Sequence, residues 1–350
     1  MATPNELKWS TLTRAINEMK NPAAFLRNKI FSRDRLFPTT TIELSYWLRG
    51  RKMAPFVRRG RGAIMVEGPA ERFTTVSLPH IRIKRPMTPS QLLDHRRPGS
   101  PIFVQQSDMS TAIAQYLAIE TKILDDDISN TEEWLASQAL RGTITYSSLE
   151  DESFTVTIPR SASHTVTLTG TDLWTASTSR PAGDFSTANE LVNDDTGLTV
   201  GLAIMGTAAA DAFVQNANVL ALLDNRRVNS GGDLDLTQQL QESGALYLGT
   251  FYGMEAWRYG RKLELPDGTM YDLIRPEYVE FVATSPRNEF YMAYGPINDM
   301  KAFGDSTPRM ARRFSKSWET EDPSVRWHLA ESNPLPVPAR PDSTVSMKVV

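Results

Sequence analysis

The chain has no cysteine, which removes disulfides, thiol nucleophiles and thiolate metal sites together and suits a protein made in a reducing cytoplasm. No run of eighteen apolar residues occurs, so no membrane-spanning helix is predicted. The stretch Met1 to Lys8 holds no apolar core segment, which argues against a secretory signal. Histidine is scarce: His80, His95, His164 and His328 are far apart, form no His-Glu-x-x-His pattern and are expected to be surface or packed residues. A Gly-x-x-x-x-Gly-Lys-Ser/Thr phosphate loop, a Gly-x-Gly-x-x-Gly turn after a strand and a Gly-x-Ser-x-Gly elbow are all missing. These absences weaken every enzymatic reading, and no catalytic, cofactor-binding or metal-ligating residue is assigned.

What is present is an ordinary globular composition over 350 residues, enough for a large core and two or more units. Its charge is unevenly placed. Residues 1–100 hold 19 Lys and Arg against 7 Asp and Glu, whereas the remaining chain holds 19 against 34. Arginine outnumbers lysine by 28 to 10, which favours bidentate pairing over scattered cations. Such a split suits either a polyanionic partner or a second copy whose acidic body receives the basic end. Self-assembly is the favoured reading.

Along the chain, residues 1–38 read as a basic arm with one helical segment, Thr11 to Met19. Ordering about forty residues costs roughly 40–80 kcal/mol in backbone entropy. Offsetting that takes about 1,600–3,200 Å² of buried apolar surface. The arm cannot supply so much, so it is expected to be ordered by a neighbour or not at all. Thr40 to Leu48 looks strand-like, and Ala63 to Glu67 with Arg72 to Leu78 reads as a hairpin. Ile81 and Ile83 then alternate with Arg82 and Lys84 on a ribbon expected to lie on another surface.

Asp108 to Arg141 carries the strongest helical periodicity, with Ser107 or Asp108 as N-cap, Gly142 at the end and a kink expected near Asn130-Thr131. Ile113, Leu117, Leu124, Ile128 and Leu135 form its apolar face. Phe154 to Ile158 and Thr165 to Thr169 alternate and are expected to pair. Further strands are predicted at Leu202 to Met205, Gly249 to Trp257, Tyr278 to Thr284 and Phe290 to Tyr294. Thr207 to Gln215 should be helical, and a Pro-rich tail ends in the alternating stretch Ser343 to Val350.

Three constellations invite a chemical reading. Asp195-Thr196-Gly197 is the triplet of aspartic proteases, but that chemistry needs two such aspartates and only one is present, so a turn or helix cap is expected. Asp125-Asp126-Asp127 would point three ways on a helix, which suits a solvated face or interface better than a cation site. Arg49, Arg51, Lys52, Arg58, Arg59 and Arg61 could contact phosphates, yet they adjoin a hairpin in a chain of net charge −3. With Arg82 and Lys84 they are the candidate inter-subunit contacts.

Local stretches resemble a known family. They are Phe37 to Glu43, Met53 to Val57 with the following Arg-Gly pair, Leu78 to Lys84, and Glu133 to Gly142. Asp195 to Leu198 leads on to Ala203 to Gly206, and the tail Asn333 to Asp342 completes the set. In this order they resemble the lambda-like bacteriophage major capsid protein E family, of HK97-type fold. The resemblance implies an α+β chain with an N-terminal arm (1–38), an extended loop (39–100) and a peripheral domain with a long spine helix (101–172). An axial domain (173–310) and a C-terminal segment (311–350) completing both sheets would follow. It also implies pentamers and hexamers in an icosahedral shell, with a scaffolding protein, a portal and a decoration protein as partners. The shell would enclose double-stranded DNA contacted without sequence specificity. Assembly would take place in the host cytoplasm and the protein would reside in the virion. Rival readings are an encapsulin-like compartment and, from another class, a basic-patch nucleic-acid-binding protein or hydrolase.

Overall fold

The computed structural model describes residues 9–18, 24–48, 70–88, 106–147, 153–221, 241–242, 244–283, 290–300, 310–322 and 324–350. Helices α1 (Trp9–Glu18) and α2 (Phe25–Lys29) are followed by β1 (Asp34–Leu36), β2 (Thr41–Leu48), β3 (Ala70–Ser77) and β4 (Ile81–Met87). The long helix α3 (Gln106–Arg141) leads into β5 (Thr143–Ser147), β6 (Ser153–Thr157) and β7 (Thr165–Thr167). Next come α4 (Pro181–Thr196), β8 (Val200–Met205), α5 (Thr207–Gln215), β9 (Gln241–Glu242), β10 (Ala245–Phe251) and β11 (Met254–Tyr259). A small pair, β12 (Lys262–Glu264) and β13 (Met270–Asp272), precedes β14 (Tyr278–Ala283) and β15 (Phe290–Tyr294). The chain closes with β16 (Phe314–Thr320), β17 (Val325–Ser332), β18 (Pro334–Pro338) and β19 (Thr344–Lys348).

A seven-stranded mixed sheet, ordered β7-β19-β14-β8-β11-β10-β9, divides two cores. Strand β8 is apolar almost throughout because both faces are covered, pairing parallel with β11 and antiparallel with β14. Ala203, Met205, Phe281 and Val345 face a core with Phe185 and Val192 of α4 and Phe213 of α5. Leu202, Ile204, Trp257 and Val282 face the opposite core, with Leu135, Ala136 and Leu140 of α3. A second sheet, β16-β17-β4, packs on the earlier part of α3, where Ile81, Ile83 and Ala330 meet Leu124 and Ile128.

The structure corrects several expectations. The described parts of the N-terminal segment, 9–18 and 24–38, pack on their own chain, with Leu12 and Ile16 of α1 and Phe25, Leu26 and Phe31 all buried. Its own apolar content was never sufficient, but α3 and the C-terminal strands supply the rest of the surface. β3 pairs with β2, from Thr41 opposite Ser77 to Leu48 opposite Ala70; the other half of the expected hairpin, Ala63 to Glu67, lies outside the described residues. β4 also finds its surface in the same chain, antiparallel to β17.

β6 pairs with β5, and β7 runs parallel to β19, so the expected pairing of 154–158 with 165–169 does not form. Helix α3 begins at Gln106, ahead of the expected caps, and passes unbroken through Asn130-Thr131. Gly249 to Trp257 is two strands rather than one, because Tyr252 and Gly253 turn the chain with φ of 50° and 79°. Part of the Pro-rich tail is itself a strand: β18 lies at a sheet edge against β15, where missing proline N–H groups leave no ladder unpaired. The helix at 207–215 and the strands at 278–283 and 290–294 lie where expected.

One glycine fixes how β8 turns into α5. A Cβ on Gly206 would sit 2.6 Å from the Pro276 carbonyl oxygen and 2.7 Å from Pro276 Cα, with Arg275 O nearer still. Both atoms belong to backbone, so neither can swing away. Gly206→Ala should therefore lower stability by about 1–3 kcal/mol through overpacking. A chemical-denaturation midpoint equal to wild type would contradict this.

Candidate assembly surfaces

Six of the basic residues singled out in the sequence fall between β2 and β3. Because Leu48 and Ala70 are cross-strand partners, residues 49–69 leave and return at one end of the β2–β3 pair. Arg49, Arg51, Lys52, Arg58, Arg59 and Arg61 are in that connection, with Glu67 as its one acidic residue, and they lie outside the described residues. The root of the hairpin is anchored on one face, since Ile42, Val76 and Leu78 are buried while Thr41, Glu43, Thr75 and Ser77 are exposed. Leu78 packs where Gly295 has no side chain.

Arg82 and Lys84, proposed as contacts to other copies, have partners within the chain. Arg82, 39% exposed, places Nη2 3.3 Å from Asp299 Oδ2 and Nε 3.7 Å from Glu331 Oε2. Both carboxylates are buried, and Asp299 also pairs with Lys316. Lys84 Nζ sits 4.5 Å from the Trp327 ring centroid, a cation–π contact. The next residue, Arg85, places Nε 2.6 Å from Glu120 Oε2 on α3 and so pins β4 to the helix. Part of the N-terminal excess of cations is thus spent inside one subunit.

Beneath these surfaces α3 carries charge inward. Asp125, Ser129 and Glu132 are spaced by four and three residues, which aligns them on one face. Arg313 lies along that face, pairing with Asp125 and donating from Nη2 to Ser129 Oγ at 2.6 Å and to Glu132 Oε2 at 3.2 Å. Asp125 is therefore buried, against the expectation of a solvated face or interface. Burial lowers the Arg313 pKa to about 10, and the charge of Arg27 adds to the effect.

Tyr294 donates to Glu132 at 3.1 Å, and Arg27 and Arg312 approach the same carboxylate at 3.8 and 3.6 Å. Glu133 accepts from the backbone N–H groups of Leu26 and Arg27 at 2.8 and 2.9 Å and from the Tyr259 hydroxyl at 2.7 Å. Burial pushes both glutamates above the usual carboxylate range, while Arg312 and Arg27 for Glu132, and the two N–H groups for Glu133, oppose the rise. Nothing in the sequence periodicity separates Glu132 and Glu133 from surface carboxylates.

The acid–imidazole pair at Asp195 is structural. His164 Nε2 is 2.8 Å from Asp195 Oδ2, and its Nδ1 is 3.0 Å from the Thr344 carbonyl, so neither ring nitrogen is left to activate a nucleophile. Asp195-Thr196-Gly197 ends α4 as expected. Gly197 adopts φ of 76°, its N–H bonds the Asn193 carbonyl at 2.8 Å, and Thr196 Oγ1 donates to Val192 O at 2.6 Å. His328 is buried between Thr121 and Ser315.

A family profile described as phage major capsid protein E matches residues 8–349. Among solved structures, a protein assigned as the capsid protein of an E. coli CFT073 prophage superposes with TM-score 0.72 at 17% identity, covering 98% of this chain and 99% of that one. A phage-related protein from Bordetella bronchiseptica RB50 superposes with TM-score 0.56 at 12% identity, over 98% and 97% of the two chains. Among curated proteins there is no match to the sequence. The fold is the α+β, HK97-type architecture of phage capsid structures.

Two substitutions probe the packed charges. Glu133→Ala would orphan two backbone donors and a hydroxyl, at roughly 1–3 kcal/mol for each donor left without a partner. A melting temperature within a degree of wild type would contradict that. The second probe is pH. Burial lowers the His328 pKa from 6.5 to about 4, so its neutral form is favoured in the folded state. The stability involved is whole above pH 6.5 and is lost as pH falls toward 4, by about 3 kcal/mol. His328→Gln should flatten that slope in unfolding free energy; an equal slope in both proteins would exclude the assignment.

Proposed function

From the premise that the chain belongs to the phage major capsid protein E family, we propose that its copies form pentamers and hexamers of an icosahedral shell around packaged double-stranded DNA. The protein is a phage capsid protein, and its role in this reading is structural rather than catalytic. Its place is the virion, after assembly in the host cytoplasm on a scaffolding protein around a portal, with a decoration protein bound later. DNA is met through charge alone, without base readout. In this scheme residues 39–100 form the extended loop, 101–172 the peripheral domain around α3, and 173–310 the axial domain. Residues 1–38 are the arm, and 311–350 complete the sheets. The family match favours a phage head over an enzyme-enclosing compartment.

One observation carries the reading. A hairpin anchored at its root by burial of Ile42, Val76 and Leu78 joins its two strands through a segment, 49–69, whose sequence holds six cations and one acid. Acidic surface is available elsewhere: α4 contains Asp184, Glu190, Asp194 and Asp195 and no basic residue. A neighbouring copy's acidic body is the natural counterpart, and the lattice multiplies contacts that are individually worth about 0–1 kcal/mol. Replacing Arg58, Arg59 and Arg61 together with Glu should leave circular dichroism and melting unchanged and abolish particles in negative-stain micrographs. Wild-type particles from the triple variant would count against the role of this hairpin.

A further inference from the structure

Strand β16 is the outer strand of its sheet: β17 pairs with one side, and among the described residues no strand pairs with the other. All seven of its residues keep an unbroken register with β17, and none is proline. Such an edge invites a further strand, since proline, bulges and unpaired charges are the usual deterrents. Its charges are already engaged, Lys316 with Asp299 and Glu319 with Arg326. Protection has to come from elsewhere.

Helix α1 lies on that edge and bonds to it as a strand would. Thr13 Oγ1 donates to the Ser315 carbonyl at 3.0 Å and accepts the Ser315 N–H at 3.1 Å. Four residues on, Asn17 Nδ2 donates to the Arg313 carbonyl at 2.8 Å, and its Oδ1 accepts the Arg313 N–H at 3.2 Å. The spacings match, because four residues of helix advance about 6 Å and two residues of strand about 6.8 Å. Two side chains thus fill the four backbone positions that an antiparallel strand would take. Leu12 packs with Met87 and Leu117, and Ile16 with Leu124, Ile128 and Ala330, which hold the helix down. Arg313 and Ser315 are buried, so their backbone groups have no water to fall back on.

We propose that α1 is a guard on this edge: Thr13 and Asn17 hold the bonding positions of Arg313 and Ser315 and so keep a β-strand of another chain from adding to β16. A covering strand would only pass the problem outward, offering its own far edge. A helix ends the ladder, because its backbone groups are bonded within itself. The guard belongs to the single subunit and does not depend on the capsid reading.

Thr13→Val combined with Asn17→Leu removes the four bonds and leaves Leu12 and Ile16 in place. In the full chain, this double variant should exchange the backbone amides of 313–317 roughly tenfold faster or more, read by mass spectrometry. It should also form aggregates that bind thioflavin T, which wild type does not. Adding Ser317→Pro supplies the rescue: alternate residues share a side of the strand, so the Ser317 N–H points away from β17 and its loss costs the sheet no bond. The triple variant should keep the fast exchange and stay free of thioflavin-positive aggregates. Unchanged exchange in the double variant would overturn the guard, as would fast exchange without aggregation. Aggregation that the proline does not relieve would point to general unfolding rather than an open edge, and would overturn it too.

Discussion

Glu132 and Glu133 are adjacent on α3, yet both are buried, and between them they tie the helix to α2, β11, β15 and the segment before β16. Glu133 caps the N–H groups at the start of α2 and receives the hydroxyl of Tyr259 from the large sheet. Glu132 gathers Tyr294 from β15, Arg27 from α2 and Arg312 and Arg313 from the segment before β16. Buried ion pairs contribute little net stability, because desolvation offsets their attraction. Their geometry is demanding, however, and removing one partner strands the others. Here they set where the N-terminal segment and the C-terminal strands must sit along one helix.

That helix joins two different kinds of core. Its C-terminal half buries Leu135, Ala136 and Leu140 against one face of the seven-stranded sheet, whose other face carries α4 and α5. Its middle buries Leu124 and Ile128 under β4 and β17. Strands distant in sequence therefore become neighbours through α3, and both ends of the chain are threaded into the structure. The β2–β3 hairpin is covered on one face at its root, where Ile42 and Val76 are buried.

Charge is used in two ways as a result. Arg27, Arg82 and Arg85 neutralise carboxylates of their own chain and lock elements together. The six cations of 49–69 share their segment with a single acidic residue, Glu67.

Periodicity and composition alone determined the long helix, the strands at 278–283 and 290–294, the helix at 207–215 and the helix-capping role of Asp195-Thr196-Gly197. These rest on local physics: apolar spacing, caps and turn residues act within a few positions. The ordered motifs also carried the family resemblance. What only the tertiary structure decided was partnership. β3 chose β2, β4 chose β17, and a proline-rich tail became a strand, because pairing depends on which distant edge is free. Burial of Asp125, Glu132 and Glu133 was likewise invisible, since a carboxylate on a helix reads the same in sequence whether it faces water or an arginine nearly two hundred residues away.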